Sequence, residues 1–190
     1  MALFEDYTLI ADEFAMLGRG HAEALVPMIS RLPKKGRAGR IFVGRGPGSF
    51  TGVRIGLAAA RALTLAWDAE LRGYPTLALI AAMARATKGA HPVLVATTGG
   101  HGEWFTQKFG ADGRASSALL SIRPEDATGL ATSLVAGSQA QALVAQRGAG
   151  EALTLWPDAR AVVSLPADAF TEDCAPLYGR APDAKLPQSA

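Results

Sequence analysis

Gly44-Arg45-Gly46-Pro47-Gly48-Ser49-Phe50-Thr51-Gly52-Val53-Arg54-Ile55-Gly56-Leu57 is the stretch on which the reading of this chain turns. The apolar run before it, Arg40-Ile41-Phe42-Val43, predicts a buried strand. The long apolar segment that follows, Phe50 to Trp67, predicts a helix. Strand, glycine loop and helix N-terminus in that order can hold an anion on backbone N–H groups. A phosphate-binding loop of the Walker type also needs a Gly-Lys-Ser/Thr ending, and Phe50-Thr51-Gly52-Val53 has no lysine. A dinucleotide fingerprint needs an acid at a strand end about 20 residues on, and Asp68 falls at the end of a helix instead. The local chemistry favours a tight strand-to-helix turn with Ser49 as the helix N-cap. A vestigial phosphate site at Gly46, Pro47, Gly48, Ser49, Thr51 and Gly52 is the alternative.

The helix launched by this loop is unusual. Gly52, Gly56, Ala59 and Leu63 fall along one side of a helical wheel, and Arg54, Ala58, Arg61 and Leu65 along the opposite side. Phe50, Val53, Leu57 and Thr64 fill a flank. Apart from two arginines the helix is small or apolar nearly all round, which predicts burial on more than one face. In a chain of 190 residues the second burying surface is expected from another subunit.

Composition sets the frame. Hydrophobic residues make up 49% and charged residues 19%, enough apolar material for a core. A net charge of +2 does not mark a nucleic-acid surface. The single cysteine, Cys174, cannot form an internal disulfide, which fits a reducing compartment. Met1-Ala2-Leu3-Phe4-Glu5-Asp6 lacks the basic start of a signal peptide, and no apolar run spans a membrane. A cytoplasmic location is expected.

Elsewhere, Ala2 to Phe14 reads as a hairpin turning at Glu5-Asp6, with its second strand from Tyr7. Leu25, Met28, Ile29 and Leu32 form one helical stripe, with Pro27 inside the segment and a basic turn at Pro33 to Arg37. Leu71 to Tyr74 reads as a strand, and Thr76 as the cap of a helix to about Thr87. Lys88-Gly89-Ala90-His91-Pro92 is the expected boundary between lobes at 1–90 and 91–190. In the second lobe, strands are expected at Val93–Thr97, Glu103–Phe109, Ser133–Ala136, Leu153–Trp156 and Ala161–Val163. Helices are expected from Pro124 and from Ser138 to about Gln146. The end of the chain, from Pro176, is expected to lie over the surface.

No catalytic constellation emerges. His21, His91 and His101 stand singly, so there is no paired-histidine metal motif. Cys174 has no partner motif, and no G-x-S-x-G elbow is present. Glu125-Asp126 and Glu172-Asp173 are explained by helix-start and surface roles.

At the glycine loop the sequence resembles a known family. Gly46 to Leu57, followed by alanine-rich residues, is similar to the signature block of the bacterial TsaB (YeaZ) family. Gly20-His21-Ala22-Glu23-Ala24-Leu25-Val26-Pro27-Met28 resembles that family's H-x-E-x-L-x-P-x segment. Pro176 to Lys185 resembles its proline-tyrosine-arginine tail. The resemblance implies an α/β, actin/Hsp70-like (ASKHA) fold of two RNase H-like lobes. It implies a non-catalytic scaffold and activator subunit in making N6-threonylcarbamoyladenosine at position 37 of tRNA. The implied partner is the paralogous TsaD, whose subunit would bring the metal and the ATP dependence, with TsaE a further possible partner. No cofactor is implied for this chain, a homodimer is implied in isolation, and tRNA is reached only through the complex. The implied interface is the two helices of the first lobe, here His21, Leu25, Met28, Ile29, Arg54, Leu57, Ala58, Arg61 and Leu65.

Two departures stand out. Relatives open with an apolar strand ending in Asp-Thr or Asp-Ser, central in the first sheet, whereas this sequence aligns from the second strand. That implies exposed strand edges and low stability in the first lobe. Thr97-Thr98-Gly99-Gly100-His101-Gly102-Glu103 replaces a D-A-R-type turn. Two rival readings remain: a nucleotide-dependent enzyme of the same superfamily using the 44–52 loop, and an M22-type peptidase, which the missing H-x-x-x-H disfavours.

Overall fold

Short apolar runs at the start of the chain, Ala2-Leu3-Phe4 and Leu9-Ile10-Ala11, form β1 (Ala2–Glu5) and β2 (Thr8–Asp12), an antiparallel pair. The computed structural model describes residues 1–17, 20–130 and 132–179. Asp6 and Tyr7 both take positive φ, 48° and 64°, so the tight turn falls one residue later than the sequence suggested. Tyr7 is 83% exposed, and no core contact opposes that placement. Helix α1 (His21–Arg31) follows, beginning six residues before Pro27. Proline there removes the N–H that would bond the Glu23 carbonyl, but does not end the helix. A 3-10 turn, Pro33–Gly36, leads into β3 (Arg40–Gly44).

From β3 the chain passes through helix α2 (Phe50–Trp67) to β4 (Glu70–Tyr74), which pairs parallel with β3. The four strands of the first part of the molecule thus form two separate two-stranded sheets. Helix α3 (Thr76–Lys88) has Pro75 as its N-cap and Thr76 as its first residue, one position from the expected cap.

The second part is built on one mixed sheet of five strands in the order β7-β6-β5-β8-β9. Its members are β5 (Val93–Thr98), β6 (Trp104–Phe109), β7 (Leu120–Ile122), β8 (Leu134–Ala136) and β9 (Glu151–Leu153). Alternation along β5 and β8 sends Val93, Val95, Leu134 and Ala136 to the face packed on α3. Leu94, Ala96 and Val135 point the other way, onto Ala127 of α4 (Pro124–Ala127) and Ala140 and Leu143 of α5 (Ala140–Arg147). Both faces are covered, which is why these strands read as continuous apolar runs. Because α3 packs on this second sheet, the main core crosses from one part of the chain to the other.

Three expected elements differ. Ala161–Val163 lies in a 3-10 helix, Ala159–Ser164, not a strand, because the Asp158 side chain caps it by accepting from the Arg160 N–H at 2.9 Å. The strand expected at Leu153–Trp156 is β9, ending at Leu153. α5 starts two residues late because the Ser138 hydroxyl accepts from the Thr98 N–H at 3.0 Å. The 97–103 stretch forms the β5–β6 turn, with His101 and Gly102 at positive φ and Gly99 N–H donating to Glu103 O at 2.8 Å.

Candidate functional site

Helix α2 has one face turned inward and one left open. Leu57 is 1% exposed and Ala60 is buried, with Val53 and Thr64 half-buried beside them. Arg54, Ala58, Arg61, Ala62 and Leu65 are exposed, and Leu65 is 87% so. The helix carries no acidic residue anywhere along its length. Ser49 caps it as expected, its hydroxyl accepting from the Gly52 N–H at 3.3 Å.

The small-residue flank is half-buried and borders an open cleft, and a Cβ added at Gly56 would meet nothing within 4 Å. Gly52, Ile55 and Gly56 border a cavity of about 330 Å³ together with His21, Leu25 and Met28 of α1. The nine residues assigned to an interface therefore divide by position. Arg54, Ala58, Arg61 and Leu65 are open, His21, Leu25 and Ile29 are half-buried, and Met28 and Leu57 are buried within the chain itself. As the molecule stands, Met28 and Leu57 have almost no surface for a partner to touch. Val26 of α1 and Phe50 of α2, which sequence reasoning passed over for this role, are strongly exposed. The one signal for Val26 is that it is apolar yet off the Leu25-Met28-Ile29-Leu32 stripe.

The glycine loop is tied into the molecule. Arg45 N–H donates to Tyr74 O at 2.9 Å, and Gly46 O accepts from Thr76 N–H at 2.8 Å. Leu177 N–H reaches back to Arg45 O at 2.7 Å. Gly46 has φ of +99°, and a Cβ there would sit 2.7 Å from Leu177 O, so glycine answers both the backbone and the approach of the distant segment. At the helix end, Ser49 occupies two donors that an anion would want: Gly52 N–H goes to its hydroxyl and Val53 N–H to its carbonyl.

The C-terminal segment, residues 171–178, forms a strap across this region. It starts with a bridge to β4, Gly73 N–H to Thr171 O at 2.8 Å and Thr171 N–H to Gly73 O at 3.0 Å. Four arginines then meet it in turn. Arg72 pairs with Glu172 at 2.9 Å, and Arg45 with Asp173 at 3.6 Å while donating to Ala175 O at 2.9 Å. Arg61 donates to Cys174 O at 3.0 Å, and Arg54 to the Tyr178 hydroxyl at 3.0 Å. The Arg54 guanidinium also lies 3.6 Å from the centre of the Phe50 ring and 5.6 Å from that of Tyr178. Arg45 is itself nearly buried, lying where a side chain at Gly73 would stand. The part of the tail from 180 onward lies outside the described residues.

Charge around the strap is linked across the sheet. Glu70 accepts from Arg40 at 2.6 Å and from Arg72 at 2.5 Å, and these hydrogen bonds, Arg40's first, hold its carboxyl below the usual range. Burial pushes the Cys174 thiol up, against the pull of Arg45 and Arg61. Among the described residues, no three His, Cys, Asp or Glu side chains gather to hold a metal ion. No helix among them is long and apolar enough to cross a membrane.

With this geometry in hand, the known relatives can be compared. Residues 15–154 match the family described as "TsaD: tRNA N6-adenosine threonylcarbamoyltransferase". The tRNA threonylcarbamoyladenosine biosynthesis protein TsaB of Escherichia coli (strain K12) is 35% identical over 117 residues, covering 59% of this chain and 50% of that protein. The TsaB of Bacillus subtilis (strain 168) is 32% identical over 92 residues, covering 45% and 39%. The chain thus spans half or less of the curated relatives it matches. Among solved structures, YeaZ from Pseudomonas aeruginosa superposes with a TM-score of 0.74 at 25% identity, over 93% of this chain and 92% of that one. A second, described as an uncharacterized protein with similarity to peptidase YEAZ from Pseudomonas aeruginosa, gives 0.71 at 27% identity, over 90% and 92%. The α/β architecture with its mixed sheet fits the actin-like type of fold. By the match over residues 15–154 and by these relatives, the chain belongs to the family described as TsaD and, within it, to the TsaB/YeaZ group.

Proposed function

We propose that this chain is a non-catalytic subunit of the machinery that makes N6-threonylcarbamoyladenosine in tRNA. It acts by docking the open face of α2, with α1 beside it, onto a TsaD-type partner. One observation carries the reading: a helix whose exposed residues include Arg54, Ala58, Arg61, Ala62 and Leu65, apolar or cationic with no acid, stays open to solvent beside the 171–178 strap. The names of the relatives supply the pathway. The TsaD subunit would bring the metal and the ATP dependence, TsaE would join as a further partner, and tRNA would meet the assembly rather than this chain alone. A homodimer using the same face, in the cytoplasm, belongs to the same reading. So does a lobe boundary near residue 90.

The test is co-purification with the TsaD of the same organism. Ala58→Arg and Leu65→Glu, both at open positions, are expected to weaken capture at least about tenfold with an unchanged melting temperature. Undiminished capture by both variants would sink the interface. The nucleotide-enzyme alternative predicts ATP binding by this chain alone at the 44–52 loop, and calorimetry with ATP and magnesium is expected to show none.

A further inference from the structure

We propose that residues 171–178 are a latch on the first part of the molecule, and that its closure sets the partner face of α2. The second half of this proposal rests on the docking reading above; the first half does not. The latch is tied by backbone hydrogen bonds near its two ends, at Thr171 and at Leu177, and clasped between them by side chains. A single bridge joins it to β4, whereas four arginines, Arg72, Arg45, Arg61 and Arg54, engage it in that order from Glu172 to Tyr178. Arg45 is nearly buried, but the other three clasping arginines are exposed or half-exposed, and a segment held in this way opens locally at lower cost than the sheets it lies on.

What the latch does to α2 follows from the acceptors it offers. Arg61 meets the Cys174 carbonyl and Arg54 meets a phenol hydroxyl, both neutral groups. Closure therefore fixes the two guanidinium groups in place without neutralising their charge. Arg54 is held against Phe50 on one side and Tyr178 on the other. A partner that presents carboxylates to this face finds its cations already ordered and loses less side-chain entropy on binding. Because such a partner prefers the closed form, its binding must in turn tighten the latch.

The chain contains its own reporter. Cys174, the only cysteine, lies within the latch and is 7% exposed, so its reaction with dithionitrobenzoate under native conditions measures opening. Tyr178→Ala and Arg61→Met each remove one clasp at an exposed position. Each is expected to raise the rate about tenfold, after scaling to the rate of the denatured chain. Arg61 favours the thiolate, so losing its charge alone would slow the reaction, and acceleration in Arg61→Met runs against that charge effect. Adding the organism's TsaD is expected to slow the wild-type reaction severalfold. Rates within twofold of wild type in both variants would overturn the latch, whatever TsaD does. Bound TsaD that leaves the rate unchanged would overturn the linkage. If TsaD does not bind at all, the docking reading and the linkage fall together, and the two variants still decide the latch.

Discussion

Tyr74 closes β4 with its ring buried and edge-on to Phe170, ring centres 6.3 Å apart. Burial pushes its phenol up to about 12. The folded chain therefore holds this proton to higher pH than the unfolded chain, where the phenol titrates near 10. The stabilisation is complete below pH about 10 and is lost as pH rises toward about 12, by up to roughly 2–3 kcal/mol. Urea midpoints for wild type and Tyr74→Phe are expected to run parallel near neutrality and to converge or cross above pH about 10. Equal alkaline slopes would show that the phenol is not buried. Little at this scale was legible beforehand: nothing marks Tyr74 in the sequence as the buried tyrosine and Tyr7 as the exposed one. Arg54 and Arg61 were visible as odd charges on an apolar helix, but the segment that engages them lies more than a hundred residues away.

At the scale of the element, α2 shows what an all-apolar helix can and cannot say. The glycine loop, the Ser49 cap and the span Phe50–Trp67 were all readable, because each rests on local chemistry. Which side faced inward was not, since periodicity is weak when nearly every position is small or apolar. The family resemblance assigned both Leu57 and Ala58 to an interface, whereas in this chain Leu57 is buried and Ala58 open. Helix α1 shows the reverse difficulty. Its clear Leu25-Met28-Ile29-Leu32 stripe marks the face turned into the molecule, so a strong stripe points to the chain's own core before any partner. The contrast gives a paired prediction. Leu57→Ala is expected to cost about 2–5 kcal/mol of stability. Ala58→Arg, one residue on, is expected to shift stability by no more than about 0.5 kcal/mol. Chemical denaturation of the two variants checks it, and equal losses would mean that the helix is rotated from the orientation described.

At the scale of the molecule, the unequal construction of its two parts decides how it should open. The second part was the more legible, because continuous apolar runs such as Val93 to Ala96 are short, bounded by Pro92 and Gly99, and buried on both faces of one sheet. The first part was legible strand by strand, but sequence gave no means of seeing that β1–β2 and β3–β4 would stand as separate pairs. Two-stranded sheets have little independent stability, whereas five strands covered by helices on both faces close a full core. In β2, Leu9 and Ile10 are both substantially exposed, so alternation there buys no burial. Val93, Leu94, Val95 and Ala96 of β5 are fully buried. Native-state hydrogen exchange is therefore expected to be graded: fast in β1–β2, intermediate in β3–β4 and α2, and slowest in β5, β8 and α3. The placement of α3 sharpens the expectation, because this helix precedes the expected boundary in sequence yet is buried against the second sheet. If α3 exchanges with β3 and β4, the cooperative unit follows chain order. If it exchanges with β5 and β8, the unit follows the packing, which is the outcome its buried face Leu77, Ile80, Ala81 and Ala84 requires.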